Sequence, residues 1–246
     1  MSELTNVTGA GGYAREVQEQ PVLIVDDHRL VGSSLVLALA SRDIDAQECP
    51  VTTTGDILRA AEERRLGLVL LDLELGLGAG GEPIDELELI AGLRARGWAV
   101  LVVSAATDER RIASAIAAGA IGYVPKAAPL PELLDAVCRA SSGRSVLSSE
   151  ERERWLAVDK QGRAAGRKDR ARWRRLTARE RTVLELLARG DRAATIAEQF
   201  CVSLTTVRAQ IRAIHTKLDV NSQLEAVALL RRVEGVRVSE QGGPSD

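Results

Sequence analysis

Short, almost wholly apolar runs recur along the first part of this chain, at Val22–Val25, Leu68–Leu71, Val100–Val103 and Ile121–Val124. None of them alternates with polar residues. A strand that is apolar on both sides must be buried on both faces, as happens in parallel sheets covered by helices. A weaker strand is predicted over Asp45–Cys49. Between the runs, helical spacing of apolar residues predicts helices near Leu30–Ser41, Gly55–Arg65, Asp85–Arg96, Asp108–Ala118 and Pro131–Ser141. Gly97 and Gly119 follow two of these, where a helix end favours a left-handed residue. Five strand–helix units with right-handed crossovers predict an α/β doubly wound five-stranded parallel sheet of flavodoxin-like type. Aromatic residues are only 2% of the chain, so its core is built from Leu, Val, Ile and Ala.

Beyond Ser141 the pattern changes. Residues 142–175 are rich in Ser, Gly, Arg and Glu, and Gln161–Arg175 carries seven Lys or Arg against one Asp. This stretch reads as a basic linker with a helix around Ser149–Val158, more a solvated tether than a source of non-specific phosphate contacts, though its charge allows both. Residues 176–232 regain helical periodicity without strand-like runs, which predicts an all-α domain behind the α/β domain of residues 21–141. Residues 1–20 and 233–246 read as tails. The overall net charge of −2 conceals a division: residues 1–140 carry a net −9 and the remainder a net +7. An acidic unit suits a metal cation and a basic one suits a polyanion such as DNA. The three cysteines, Cys49, Cys138 and Cys201, lack the paired spacing of a zinc site or a disulfide framework. The chain start has no signal-peptide pattern and no apolar run is long enough for a membrane span, so the expected location is the cytoplasm.

In a doubly wound sheet, ligands bind at the carboxyl ends of the strands. Val22–Val25 runs into Asp26-Asp27, Leu68–Leu71 into Asp72, Val100–Val103 into Ser104, and Ile121–Val124 into Pro125-Lys126. Crowded carboxylates repel and favour a cation, and hard oxygen ligands that leave room for water suit Mg²⁺. The Asp72 carboxylate is placed to act as a nucleophile toward phosphorus. Lys126 offers a second positive charge, and the Ser104 hydroxyl can donate to a phosphoryl oxygen. The stretch Leu73–Pro83 is glycine-rich but lacks the Gly-Lys-Ser/Thr ending of a nucleotide-binding P-loop.

Asp26-Asp27, Asp72, Ser104 and Lys126, in this order at their strand ends, resemble the receiver domain of two-component response regulators. The resemblance implies that Asp72 accepts phosphate from a sensor histidine kinase. It implies that Asp27 and Asp72 bind Mg²⁺ directly, that Asp26 helps through water, and that the Glu74 carbonyl completes the protein ligands. Ser104 and Tyr123 occupy the family's switch positions. The loop after Asp72 is longer than usual for the family.

In the basic half, Thr177-Ala178-Arg179-Glu180 forms a capping box, Val183, Leu184, Leu186 and Leu187 give an apolar face, and Gly190 ends the helix. A short helix over Ala194–Phe200, a turn at Cys201-Val202 and a third helix capped by Ser203 follow. The third helix holds Val207, Ile211, Ile214 and Leu218 on one face and Thr205, Thr206, Arg208, Ala209 and Arg212 on the other. That arrangement fits a helix-turn-helix whose third helix enters the major groove of double-stranded DNA. Leu176–Glu180, Ile196-Ala197, Thr206–Arg208 and Lys217-Leu218 resemble the LuxR-type DNA-binding domain, and the two domains together resemble the NarL/FixJ family. The resemblance implies that Arg208, Ala209 and Arg212 face DNA, with Thr205 and Thr206 near phosphates. It also makes Gln223–Arg232 a dimerisation helix and the active protein a homodimer. Gln210 and Gln223 depart from residues common in the family. His28 and His215 read as surface or structural residues.

The function expected is a phosphorylation-controlled transcription regulator with no enzymatic turnover and no catalytic residues of its own. One alternative is a phosphorylation-independent regulator whose receiver is degenerate or binds a ligand. Another is a Mg²⁺-dependent phosphatase using Asp72, for which no substrate cap is evident.

Overall fold

The computed structural model describes residues 20–78, 81–105 and 108–240, with the side chains of 234–240 excepted. Of the proposed tails at 1–20 and 233–246, residues 1–19 and 241–246 fall outside the described residues. In chain order the elements are β1 (Val22–Val25), α1 (Arg29–Ala40), β2 (Ala46–Glu48), α2 (Thr54–Glu62) and β3 (Leu68–Leu71). They continue with α3 (Glu86–Ala95), β4 (Ala99–Ser104), α4 (Glu109–Ala118), β5 (Gly122–Pro125) and α5 (Leu130–Ser141). The remainder is helical: α6 (Ser149–Arg174), α7 (Ala178–Arg189), α8 (Ala193–Gln199), α9 (Leu204–Leu218) and α10 (Gln223–Glu240).

The five strands are all parallel, in the order β2-β1-β3-β4-β5. This is the doubly wound order with its switch point between β1 and β3, where a crevice opens at the strands' carboxyl ends. Val22, Ile24, Leu68, Leu70, Leu101 and Val103 pack with Leu35 and Leu39 of α1 and Leu134 and Val137 of α5. The alternate residues Leu23, Val25, Val69, Leu71, Val100 and Val102 are buried as well, so both faces of the sheet are covered. Gly97 and Gly119 take φ of 89° and 120°, the left-handed geometry expected just past a helix end.

The chain divides into two compact units. One holds the sheet with α1, α2, α5 and most of α3; the other holds Asp85–Glu88, α4 and everything from Ser149. In the second unit, Val183, Leu184 and Leu187 of α7, Ile196 of α8, Val207, Ile214 and Leu218 of α9, and Leu229, Leu230 and Val233 of α10 form one core.

Two sequence expectations need correction. The tether expected over 142–175 is instead largely α6, a single helix through Arg174. Its inward positions are Asp159, Asp169 and Trp173, with Gly162 and Gly166 half-buried between them. An inner stripe of acids, glycines and one indole carries no aliphatic periodicity, which is why the helix beyond Val158 is silent in the sequence. Trp173 joins the α7–α10 core, and Asp169 pairs with Arg232 at 2.8 Å. The final helix also runs on to Glu240 rather than stopping at Arg232, because the lone Gly235 weakens a helix without ending it.

The capping box forms as the sequence predicts. The Thr177 amide donates to Glu180 Oε2 at 2.7 Å, the Glu180 amide donates to Thr177 Oγ1 at 3.3 Å, and Lys217 Nζ lies 2.7 Å from both Glu180 oxygens. Burial pushes the Glu180 carboxyl up, but Lys217 and Thr177 outweigh it and hold it below its ordinary 4.5. A lowered folded-state value means that the charged form stabilises the fold above about 4.5, and that this contribution fades as pH falls through the folded value. Glu180→Gln is expected to cost about 1.5–3 kcal/mol at pH 7, the range for hydrogen bonds to charged groups. The gap to the native chain should narrow in acid. Thermal unfolding at two pH values measures it, and equal melting at pH 7 refutes the role of the pair.

Candidate functional site

Parallel register brings distant residues to one edge of the sheet. Val25 lies beside Leu71, and Leu71 beside Val102, so Asp26 and Asp72 leave adjacent strands at the same level. Ser104 pairs in register with Pro125, and the Lys126 amide donates to the Ser104 carbonyl at 2.9 Å. Lys126 thereby leaves β5 beside the two acids. Its Nζ lies 2.7 Å from both Asp26 Oδ2 and Asp72 Oδ2.

Asp72 is only 2% exposed. Burial pushes its carboxyl above the ordinary range; Lys126 and the Glu74 amide, which donates to Asp72 Oδ1 at 3.1 Å, pull the other way. For Lys126, burial opposes the charged form, but Asp26 and Asp72 overcome it and raise the ammonium above its usual value. One part-buried cation thus serves two carboxylates, which leaves the acids in excess. The Ser104 side chain is fully buried at the end of β4. Tyr123 is partly buried on β5, and desolvation raises its phenol.

The sequence reading missed His28. Its Nδ1 lies 2.7 Å from Asp27 Oδ1, 3.3 Å from Asp26 Oδ1 and 4.0 Å from Asp72 Oδ2. Ligand atoms of Asp26, Asp27, His28 and Asp72 all fall within 4.8 Å of one another. The available signal was position alone, because His28 directly follows the acidic pair. The donor set of three carboxylates fits a hard divalent cation such as Mg²⁺.

The glycine-rich stretch after Asp72 is folded back on itself in its described residues. Leu77 and Pro83 form an antiparallel bridge, and the Gly78 amide donates to the Glu82 carbonyl at 2.8 Å. Leu73 and Leu75 are buried. Gly78 is needed because a Cβ there would lie 1.9 Å from the Thr52 carbonyl oxygen. A cavity of about 320 Å³ lined by Pro21, Val22, Asp45, Arg64 and Trp98 lies at the opposite, amino end of the strands and shares no residue with this pocket.

In the second unit α9 is capped by Ser203, whose Oγ accepts from the Thr206 amide at 3.1 Å. Val207, Ile214 and Leu218 are buried, whereas Thr205, Thr206, Arg208, Ala209 and Arg212 are all exposed. The turn between α8 and α9 passes through Cys201 at φ 50°. Arg179 of α7 lies over the Phe200 ring, 3.2 Å from its centroid, and fixes the start of that turn. No helix among the described residues is long and apolar enough to cross a membrane.

Comparison with known proteins agrees with this geometry. Residues 22–138 match the response regulator receiver domain family, and residues 174–230 match the bacterial regulatory proteins of the luxR family. The chain is 31% identical over 213 residues to the transcriptional activator protein ExaE of Pseudomonas putida, covering 85% of this chain and 94% of that one. It is 28% identical to the nitrate/nitrite response regulator protein NarL of Escherichia coli K12, covering 83% and 92%. A solved structure of the RcsB response regulator of Salmonella typhimurium aligns with a TM-score of 0.47 at 18% identity, covering 87% of this chain and 98% of that one. With an acid-lined receiver in front and a luxR-type helix-turn-helix behind, this chain belongs to the NarL/FixJ family of two-component response regulators, transcription regulators controlled by phosphorylation.

Proposed function

We propose that Asp72 is the phosphoryl acceptor and that Asp26, Asp27 and Asp72, with the Glu74 carbonyl, hold Mg²⁺. The observation that carries this reading is the single Lys126 ammonium at 2.7 Å from both Asp26 and Asp72 in a pocket with an excess of carboxylates. An Asp72 oxygen attacks the phosphorus of a phosphohistidine on the sensor kinase. The P–O bond forms as the P–N bond breaks, and the leaving imidazole takes up a proton. Bound Mg²⁺ supplies charge neutralisation at the phosphoryl oxygens. Lys126 then moves its contact from the Asp72 carboxylate to a phosphoryl oxygen, and the Ser104 hydroxyl donates to another. Tyr123, one strand position from Val124, follows Ser104 as the second switch residue.

The chain turns over no substrate of its own, since Asp72 is consumed once per phosphorylation. Thr205, Thr206, Arg208, Ala209 and Arg212 meet double-stranded DNA, the arginines at base edges or phosphates and the threonines at phosphates. Three separate free cysteines fit a reducing cytoplasm. The domain limits that suit this function are a receiver over 21–141 and a DNA-binding body that includes the second half of α6. Two copies acting together account for the exposed Leu224 on α10, which is 79% accessible.

Asp27→Ala removes a ligand whose side chain is one-third exposed, so the fold should survive. Mg²⁺ affinity by calorimetry should fall at least tenfold, and labelling by a small phosphodonor should fall with it. Native Mg²⁺ affinity in the variant refutes the assignment.

A further inference from the structure

From Lys160 onward, α6 gathers positive charge on its outward side. Lys160, Arg167 and Arg174 are all exposed and stand seven residues apart, with Arg163 beside them. Positions spaced by seven fall on one helix face, and this stripe runs for about 21 Å. The acids in and next to this stretch, Asp159 and Asp169, are both buried, and Asp159 is paired with Arg163 at 2.6 Å. Among the described residues, Lys160, Arg167, Lys168, Arg174 and Arg175 have no carboxylate partner. On the receiver, by comparison, the exposed Arg42, Arg59 and Arg96 each hold an acid, at 3.0, 3.0 and 2.5 Å, whereas the exposed Arg29, Arg110 and Arg139 stand apart from one another in the sequence rather than along one helix face. Like charges three and four residues apart, such as Arg163 and Arg167, destabilise a helix on its own. A polyanion laid along the stripe reverses that cost.

The stripe is also fixed to the DNA-reading body. Arg172 pairs with Asp219, the residue that caps α9, at 2.8 Å. Asp169 pairs with Arg232, and Trp173 is buried in the α7–α10 core. The exposed side chains expected at bases lie in the first two-thirds of α9, whereas α6 meets α9 at its carboxyl end. The carboxyl end of α6 therefore sits at the carboxyl end of α9 rather than beside the side chains expected at bases.

We propose that the outward face of α6, centred on Lys160, Arg167 and Arg174, is a second DNA contact that binds the phosphate backbone flanking the sequence read by α9. It rests on the assignment of α9 as the reading helix and extends it from base recognition to the length of duplex engaged. Each phosphate contact releases counterions, so it steepens the salt dependence of binding without adding sequence preference.

The test uses the full phosphorylated chain and a duplex recovered by selection from random sequence, once trimmed to the minimal footprint and once extended by flanking base pairs on both sides. Affinity is measured across a salt series for the native chain, for Lys160→Gln/Arg167→Gln/Arg174→Gln, and for a control, Arg42→Gln/Arg59→Gln/Arg96→Gln, with the same change in net charge. On the extended duplex the slope of log affinity against log salt should fall by about 2.7 in the α6 variant, about 0.9 for each phosphate no longer neutralised by a side chain. The control should keep the native slope, and on the trimmed duplex the α6 variant should approach native. A native slope for the α6 variant on the extended duplex, or an equal loss in the control, overturns the proposal. Arg208→Ala separates the two readings: it should weaken binding to both duplexes, and unaltered binding there would unseat α9 rather than α6.

Discussion

Asp72→Asn is expected to abolish labelling by a phosphodonor while leaving the receiver folded. The amide keeps the shape of the carboxylate but has no anionic oxygen to attack phosphorus. The folding side of the expectation follows from the pocket. Burial raises the Asp72 carboxyl above its ordinary 3.8. A raised folded-state value for an acid means that its ionised form costs stability once pH exceeds that value, so at neutral pH the fold carries the charge at a loss. Removing it also relieves repulsion with Asp26. Lys126 is not orphaned, because Asp26 Oδ2 remains 2.7 Å from its ammonium. The variant should therefore melt within about 1 kcal/mol of the native receiver, the net worth of one hydrogen bond, or slightly higher. Intact mass before and after exposure to a small phosphodonor with Mg²⁺ reads the first part, and thermal unfolding the second. A phosphoryl increment in the variant moves the acceptor elsewhere. Unfolding would show that the charge, and not the shape, holds the pocket.

The same pocket shows what sequence conveys well. Asp26, Asp27, Asp72, Ser104 and Lys126 each follow an apolar run, and parallel topology requires such run ends to meet at one edge. The buried strands announce themselves because burial on both faces leaves no polar alternation. Edge strand β2 is fainter, since two of its three residues are exposed. His28 could not be read this way: it ends no run, and its place against Asp27 depends on how the chain turns into α1. α6 escaped for a different reason. Hydrophobic periodicity detects a helix by the aliphatic residues that it buries, and α6 buries Asp159, Asp169 and Trp173 around two glycines. Ion pairs with partners 47 and 63 residues away stand in for the missing aliphatics, and no local pattern can signal them.

That substitution of partners has a direct thermodynamic consequence at Trp173. The residue is 4% exposed and lies among Leu184, Leu187, Leu229 and Val233 in a core that serves only a small helical body. Arg181 lies 5.5 Å from its ring centroid, adding a cation–π contact. Truncating a buried Trp to Ala costs about 3–5 kcal/mol through lost transfer energy and the cavity left behind. A domain of this size has a total stability of that order, so Trp173→Ala should leave the DNA-binding body largely unfolded near room temperature. The indole nitrogen is buried without a hydrogen-bond partner among the described residues, so its removal forfeits no polar contact. Trp173→Phe, which keeps most of the volume, should lose far less. The same logic fixes where an isolated fragment must begin. One starting at Leu176 discards Trp173 with the Asp169–Arg232 and Arg172–Asp219 pairs, and should melt well below one starting at Ser149. Circular dichroism melts of both fragments, and of the two Trp173 variants in the longer one, test the point. Equal melting of the two fragments would return α6 to the status of a tether.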